Sequence, residues 1–193
     1  MKNACKMNQI WNFKLIPFLV ADLRRARTLI HGESDSMSDF RLWLGVLSPR
    51  FLPVLLCRVA HFFYCIKLTS VAKFFSLLNF LFFGIEIAIQ CRIGKGLFLP
   101  HTQGTVIGAY SIGENVTIFQ GVTLGARELD FSYKELSRPS VGDAVTIGAG
   151  AKVLGGLNLG SGARVGANAV VLESIPENFL AAGVPARVIK PLS

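Results

Sequence analysis

The chain has 193 residues, of which 51% are hydrophobic and only 17% are charged. This balance excludes a disordered chain and suits one compact domain or two small units packed together. The formal net charge is +8, but the basic residues form no long run and match no nucleic-acid motif. We therefore expect no nucleic-acid partner. The positive charge instead suits an anionic cosubstrate or a negatively charged membrane surface.

The four cysteines lack the spacing that metal ligands or a disulfide framework would require. They are Cys5, Cys57, Cys65 and Cys91. We interpret them as free thiols of a protein in a reducing cytoplasm, and the N-terminal stretch has no small-residue cleavage site of a secretion signal. No cluster of histidines and carboxylates has metal-ligand spacing, so we expect no metal.

Residues 1–83 show helical periodicity and are predicted to form an N-terminal α-helical domain. Two apolar stripes carry this prediction: Leu52, Leu55, Leu56, Val59, Phe62 and Ile66 in the first, and Val71, Phe74, Phe75, Leu78 and Phe82 in the second. Residues 31–39 are polar and predict a loop. The second stripe is too short for the roughly 20 residues of a membrane span. It predicts either a helix buried against the next domain or an interfacial helix at a membrane.

After Gly84 an aliphatic residue recurs at every sixth position, and glycine follows it in most repeats. The aliphatic positions are Ile87, Ile93, Leu99, Val106, Ile112, Ile118, Leu124, Val141, Ile147, Val153, Leu159, Val165 and Val171. We place a one-residue slip near Gly104 and an excursion over 127–140. A fixed short period indicates a solenoid, and three hexads per triangular turn give roughly four to five turns. The fold class is therefore mainly β, with a parallel β-helix over 84–193 and an α-helical segment before it.

Seven segments of the chain carry a resemblance to a known family. They are residues 57–62, 84–87, 93–97, 100–104, 120–125, 147–152 and 182–187. In this order they resemble the hexapeptide-repeat acyltransferases, and within them the serine acetyltransferase branch. The resemblance implies that the β-helix is left-handed, an exception to the right-handed crossover rule. It also implies acetyl-CoA in a groove between coils and a homotrimer with active sites between subunits, and it leaves open whether trimers pair into hexamers.

The resemblance assigns the role of general base to His101 and the orienting carboxylate to Glu86. Acyl transfer to a hydroxyl needs such a base, because a free alcohol is a poor nucleophile at neutral pH. A carboxylate on the second ring nitrogen fixes the tautomer and stabilises the imidazolium. The alternative for His101 is a surface histidine beside a bulge. For His31 and His61 we expect a solvated or structural role.

The acetyl-CoA contacts implied by the resemblance involve backbone groups and small side chains. Ala149 and Ala167 leave room for the pantetheine arm, and Gly125 and Ala126 stand at the start of the excursion. Two basic residues near the chain end, Arg187 and Lys190, are candidate phosphate partners. Their alternative is a role as solvated charges.

Departures from the serine acetyltransferase pattern bear on the acceptor. Pro100 stands where the branch has an aspartate, and residues 137–139, Ser-Arg-Pro, replace an Arg-His-Pro. An Arg-Asp-Pro of the helical domain is also missing, so a serine ammonium group would lack a partner. In the excursion, Phe131, Tyr133 and Arg138 suit a sugar face and its hydroxyls. The alternative is that this loop packs on the neighbouring subunit.

We therefore expect an acetyl-CoA-dependent O-acetyltransferase that acts on a sugar of a surface polysaccharide or its precursor. On these departures the chain resembles most closely the exopolysaccharide and capsule (colanic-acid-type) O-acetyltransferases. We expect a cytoplasmic protein, with peripheral association at the inner face of the membrane as an open alternative. Serine O-acetylation for cysteine biosynthesis is the second enzymatic reading. A non-catalytic scaffold and an antibiotic-modifying enzyme are the others.

Overall fold

The computed structural model describes residues 15–32 and 45–192. Cys5 and most of the loop predicted over 31–39 lie outside these residues. The described chain begins with helices and continues into short strands. No described helix is both long and apolar enough to cross a membrane.

The described N-terminal residues contain three α-helices: α1 at Leu15–His31, α2 at Leu52–Cys65 and α3 at Thr69–Phe83. A proline in the first turn of α2 suits a position whose N–H has no partner within the helix. Helix α3 ends at Gly84, whose φ of 60° is left-handed, as is common after a helix C-terminus. Helices α2 and α3 pack as a hairpin, and α1 packs against α2.

The predicted apolar stripes do not match the buried helix faces. Helix α2 buries Val54, Cys57 and Arg58, while most of its larger apolar residues are only partly buried. Helix α3 buries Ala72 and Asn79 and leaves most of its aromatic residues exposed or half-buried. Both stripes lie on observed helices, as predicted, but the fully buried positions of these helices are mainly other and smaller side chains.

The remaining chain forms a left-handed parallel β-helix with three sheets, which confirms the predicted fold class. Sheet 1 contains β1 at Ile85–Ile87, β3 at Thr105–Ile107, β6 at Thr123–Gly125, β9 at Lys152–Leu154 and β12 at Val170–Val171. Sheet 2 contains β2 at Arg92–Ile93, β4 at Ser111–Ile112, β7 at Ser140–Val141 and β10 at Asn158–Leu159. Sheet 3 contains β5 at Thr117–Ile118, β8 at Thr146–Ile147, β11 at Arg164–Val165, β13 at Phe179–Gly183 and β14 at Ala186–Pro191. All pairs are parallel except β13 with β14.

The aliphatic residues of the hexads fill the axis of the coil, and many have no solvent exposure. The strand register corrects the predicted slip, because Ile107 rather than Val106 aligns with Ile87 and Leu124. These residues are twenty and then seventeen positions apart, whereas three hexads span eighteen. The first turn therefore holds two extra residues and the second lacks one. Val106 points outward and is 37% exposed.

A buried ion pair joins the helices to the first coil. Arg58 Nε and Nη2 donate to the Asp22 carboxylate at 2.8 and 3.0 Å, and the guanidinium also donates to the Ile93 and Gly94 carbonyls, each at 2.6 Å. Asp22 Oδ1 accepts the N–H groups of Gly96 and Leu97 at 2.6 and 2.9 Å. Both side chains are buried, so the pair links α1, α2 and β2 through a site without solvent.

Arg25 continues this connection into the second coil. Its Nη1 donates to the Gly96 carbonyl and, at 2.8 Å, to the Val116 carbonyl. Its Nη2 donates to Thr117 Oγ1 at 2.9 Å. Helix α1 is thereby bonded to two successive turns of the β-helix.

We predict that Asp22→Ala lowers the free energy of unfolding by about 3–5 kcal/mol, because it leaves the Arg58 charge buried without its partner. Urea denaturation followed by circular dichroism measures this loss. The matched control is Glu114→Ala, which breaks the half-exposed Lys95–Glu114 contact at 3.7 Å. We expect the control to change stability by about 1 kcal/mol or less. Equal losses in the two variants would contradict the prediction.

Candidate functional site

His101 lies at the corner where the chain leaves sheet 3 and enters sheet 1. Phe98 bridges to Thr117 in sheet 3, and Thr105 begins β3 in sheet 1. The two extra residues of the first turn fall between them, and the side chain of His101 is exposed. The corner therefore presents an imidazole at the outer surface of the coil.

This corner is fixed by the end of α3. Thr102 Oγ1 donates to the Phe83 carbonyl at 2.8 Å, and the Gly104 N–H donates to the Gly84 carbonyl at 2.9 Å. The Gln103 side chain packs so closely on Gly84 that a Cβ there would lie 2.3 Å from Oε1. With its positive φ, Gly84 thus meets both a conformational and a steric requirement for glycine.

Glu86 is placed by strand alternation. Ile85 and Ile87 are buried in the coil, so Glu86 between them points outward and is exposed. It stands opposite Val106 in sheet 1, on the strand paired with the one that follows His101. Glu86 and His101 therefore both face solvent on the first turns of the coil.

Two of the four small residues predicted to contact acetyl-CoA, Ala149 and Ala167, lie at the same corner as His101. Ala149 and Ala167 occupy the later turns between sheets 3 and 1. Backbone hydrogen bonds connect the stacked turns, from Gly121 N–H to the Gln103 carbonyl and from Asn168 N–H to the Ala149 carbonyl, at 3.0 and 2.8 Å. The structure thus aligns His101 with a column of small side chains and backbone amides.

Sequence reasoning gave Gln120 no role, although it belongs to this column. Its Oε1 atom is buried and has no hydrogen-bond partner in the part of the chain that the structure describes. A buried acceptor without a donor is costly, so a ligand N–H at this corner would be favourable. Its only sequence signal is its place in the 120–125 segment.

The excursion emerges at a different corner, between sheets 1 and 2. Gly125 ends β6, Ala126 follows it, and β7 begins after the loop. Phe131 is 94% exposed and lines a cavity of about 550 Å³ between the loop and the later coils. Within one chain, the structure therefore does not bring the loop residues together with His101.

Arg138 and Tyr133 are engaged within their own chain. Arg138 donates to the Asp130 carboxylate at 3.1 Å, to the Asp130 carbonyl at 2.8 Å and to the Gly108 carbonyl at 2.9 Å. Its guanidinium carbon lies 4.1 Å from the centre of the Tyr133 ring. The Tyr133 hydroxyl donates to the Ala109 carbonyl at 2.5 Å, and burial raises the pKa of this phenol. Both side chains thus hold the loop against the coil.

The two predicted phosphate partners lie on the last strand. Arg187 and Lys190 are exposed on β14, and Arg187 Nη1 is 3.6 Å from Glu173 Oε1. Strand β14 is four positions from β5 in sheet 3, which corresponds to about 20 Å along the coil at the usual strand spacing. These charges are therefore far from the His101 corner. Within the described residues, no group of three His, Cys, Asp or Glu side chains is arranged to hold a metal ion.

Comparison with known proteins identifies the family. The serine acetyltransferase of Bacillus pumilus (strain SAFR-032) is 42% identical over 133 residues, which cover 68% of this chain and 60% of that protein. The structure of soybean serine acetyltransferase is 35% identical with a TM-score of 0.77, covering 97% of this chain and 72% of that one. The chain belongs to the serine acetyltransferase family. Brucella abortus serine acetyltransferase in complex with coenzyme A is 29% identical with a TM-score of 0.79, covering 100% and 72% of the two chains.

These relatives correct the expected acceptor. They are serine acetyltransferases, so the predicted polysaccharide acceptor is wrong. The comparisons do not show the predicted closeness to exopolysaccharide enzymes. The prediction of the acceptor rested on a few local departures from the family pattern, whereas the similarity to serine acetyltransferases spans about two thirds of the chain. No protein-family model matches the chain. The chain spans about 60% of the length of the curated relatives it matches.

We predict that Arg138→Lys loosens the loop while leaving the coil intact. Lysine cannot reproduce the bonds of the guanidinium to Asp130 and Gly108, and a bond to a charged group contributes about 1.5–3 kcal/mol. Amide hydrogen exchange over 127–140 should therefore become about tenfold faster or more. Arg164→Lys, at an exposed position of β11, is the control and should leave these amides unchanged. Unaltered exchange in Arg138→Lys would show that the guanidinium does not hold the loop.

Proposed function

We propose that this protein is an acetyl-CoA-dependent serine O-acetyltransferase. The observation that supports this most is the exposed imidazole of His101 at one end of a column of small residues and backbone amides, in a chain of this family. Acetyl-CoA is the acyl donor, in keeping with the coenzyme A complex of the Brucella abortus relative. The acceptor is the hydroxyl of L-serine, as the names of the relatives indicate.

The reaction follows from the chemistry of the corner. His101 removes the proton from the serine hydroxyl while its oxygen attacks the thioester carbonyl. A backbone N–H of these turns, other than those of Gly121 and Asn168 that already donate to neighbouring turns, stabilises the oxyanion that forms. Collapse of the tetrahedral intermediate breaks the C–S bond, and the leaving thiolate takes the proton from the His101 imidazolium. Glu86 is the positioning residue, whose carboxylate stabilises that imidazolium from the second ring nitrogen.

Serine recognition must depart from the pattern of the resemblance at Pro100. A carboxylate beside the catalytic histidine would pair with the serine ammonium group, and proline offers none. The ammonium group is then left to groups of a neighbouring subunit. Arg138 is held in its own loop, because three of its five N–H donors are bonded to Asp130 and Gly108.

The assembly we propose is a homotrimer whose active sites lie between subunits. Support comes from the separation of the site within one chain, where His101 and the 127–140 loop stand at different corners of the coil. The loop also exposes Leu129, Phe131 and Leu136, each 88–94% accessible. In a trimer, the loop of one subunit faces the His101 corner of the next and covers its substrates.

We place the protein in the cytoplasm, where acetyl-CoA is available. The cysteines of the described residues, Cys57, Cys65 and Cys91, are free. Cys57 and Cys91 are buried, and burial raises the pKa of the Cys57 thiol to about 11. Both thiols therefore act as small core groups, which suits a reducing compartment.

We predict that purified protein releases coenzyme A from acetyl-CoA in the presence of L-serine, and that His101→Ala reduces kcat about 10²–10⁴-fold through loss of the base. Thiol release measured with a chromogenic disulfide gives both rates. His31→Ala, at the exposed end of α1, is the matched control and should keep the wild-type rate. If L-serine does not raise thiol release above the hydrolysis rate, the proposal that L-serine is the acceptor is wrong. Full activity in His101→Ala would contradict the role of His101 as the general base.

We predict that Pro100→Asp lowers KM for L-serine about fivefold, because a carboxylate beside His101 gains an ion pair of about 1 kcal/mol with the ammonium group. Pro100→Ala is the control that removes proline without adding charge, and its KM should stay near the wild-type value. Steady-state kinetics at saturating acetyl-CoA measure both. A KM that falls equally in the two variants would assign the effect to the backbone rather than to the charge.

A further inference from the structure

Helix α3 exposes a broad apolar surface that the acetyl-transfer site does not use. We call this surface the α3 face. Its members are Val71, Phe74, Leu77, Phe80, Leu81 and Phe82, which are 36–71% exposed. At roughly 200 Å² per large side chain they expose on the order of 600 Å². That is the upper end of what the largest apolar patch of a soluble monomer shows.

The orientation of the helix is fixed by contacts on its other side. Ala72 and Asn79 are buried, and Asn79 Nδ2 donates to the Pro53 carbonyl of α2 at 2.9 Å. The rings of Phe63 and Phe75 stack with centroids 5.6 Å apart. Rotating α3 to hide its apolar face would break these contacts, so the face stays outward while the hairpin is folded.

The exposed lysine, arginine, aspartate and glutamate side chains of the described helical part have one sign of charge. In the described helical part, residues 15–32 and 45–84, the only carboxylate is Asp22, which is fully buried against Arg58. Exposed basic side chains in the same part are Arg24, Arg50, Lys67 and Lys73. With 3.6 residues per turn, Lys73 lies within the α3 face, between Leu77 and Phe80.

We propose that the α3 face docks this protein on an anionic lipid bilayer. Apolar side chains with lysine beside them and no exposed carboxylate are typical of helices that lie in the membrane interface. A second copy on this face would offer its lysines no exposed carboxylate from the described helical part. Helix α3 has 15 residues, or about 22 Å, which is shorter than the bilayer core, so it lies along the surface.

Vesicle sedimentation with the full chain tests this proposal. Wild-type protein should bind phosphatidylcholine vesicles that contain phosphatidylglycerol, bind vesicles of phosphatidylcholine alone far less, and lose binding as salt rises. Leu77→Glu with Leu81→Glu should lose vesicle binding at least tenfold while keeping its circular dichroism spectrum and rate of thiol release. Ile189→Glu is the matched control, because Ile189 on β14 is 58% exposed and Leu81 63%. It should bind like the wild type.

A charge variant and a mass measurement complete the test. Lys67→Gln with Lys73→Gln should weaken binding roughly tenfold, because each lysine near an anionic surface contributes to adsorption. Lys95→Gln with Arg164→Gln removes two charges from the β-helix and should have little effect. Absent binding by the wild type, or unchanged binding by Leu77→Glu with Leu81→Glu, would overturn the proposal. It would also be overturned if light scattering showed that this variant dissociates a larger assembly that does not bind vesicles, since the face would then join copies of the chain.

Discussion

The Asp22–Arg58 ion pair is the interaction on which the arrangement of this molecule depends. Two charges taken out of water are stable only when nearly all of their hydrogen-bonding groups are satisfied. Here the Arg58 guanidinium donates hydrogen bonds to the Asp22 carboxylate and to two carbonyls of the first coil. The carboxylate also accepts hydrogen bonds from two backbone N–H groups. Since these partners lie on α1, α2 and the turn after β2, neither helix can shift without breaking a charged contact. The helical part and the first coil therefore form one unit.

That unit extends to the catalytic corner. Helix α3 is packed on α2, ends at Gly84 and leads directly into β1, which carries Glu86. The carbonyls of Phe83 and Gly84 accept bonds from Thr102 and Gly104, on either side of the turn that follows His101. The imidazole thus projects from a turn that is held by a helix end on one side and by the next coil, through Gly121, on the other. This is a physical reason for a helical domain in front of a solenoid that could otherwise close its own core.

Periodicity predicted the solenoid, but it predicted neither the register near Val106 nor the buried faces of the helices. The hexads were evident because each repeat buries the same kind of residue. The register at Val106 was wrong because two extra residues and one missing residue appear in sequence as a single slip. The apolar stripes located the helices but not their buried faces, because the size of an apolar side chain does not show which face packs on a neighbour. Here Ala72 is buried and Phe74 is exposed. Only the resemblance predicted a site at His101, because the turn is held by the backbone carbonyls of Phe83 and Gly84, which leave no signal in the sequence.

The error over the acceptor has a structural cause that is independent of the relatives. An arginine and aromatic residues in a loop suit a sugar-binding site only if their polar groups face a ligand. In the folded chain, the Arg138 donors go to Asp130 and Gly108 and the Tyr133 hydroxyl goes to Ala109. Of the three predicted contacts, only Phe131 faces solvent, and it brings no hydrogen bond. Because Arg138 and Tyr133 are engaged with their own chain, we expect the His101 corner and what covers it to select the acceptor.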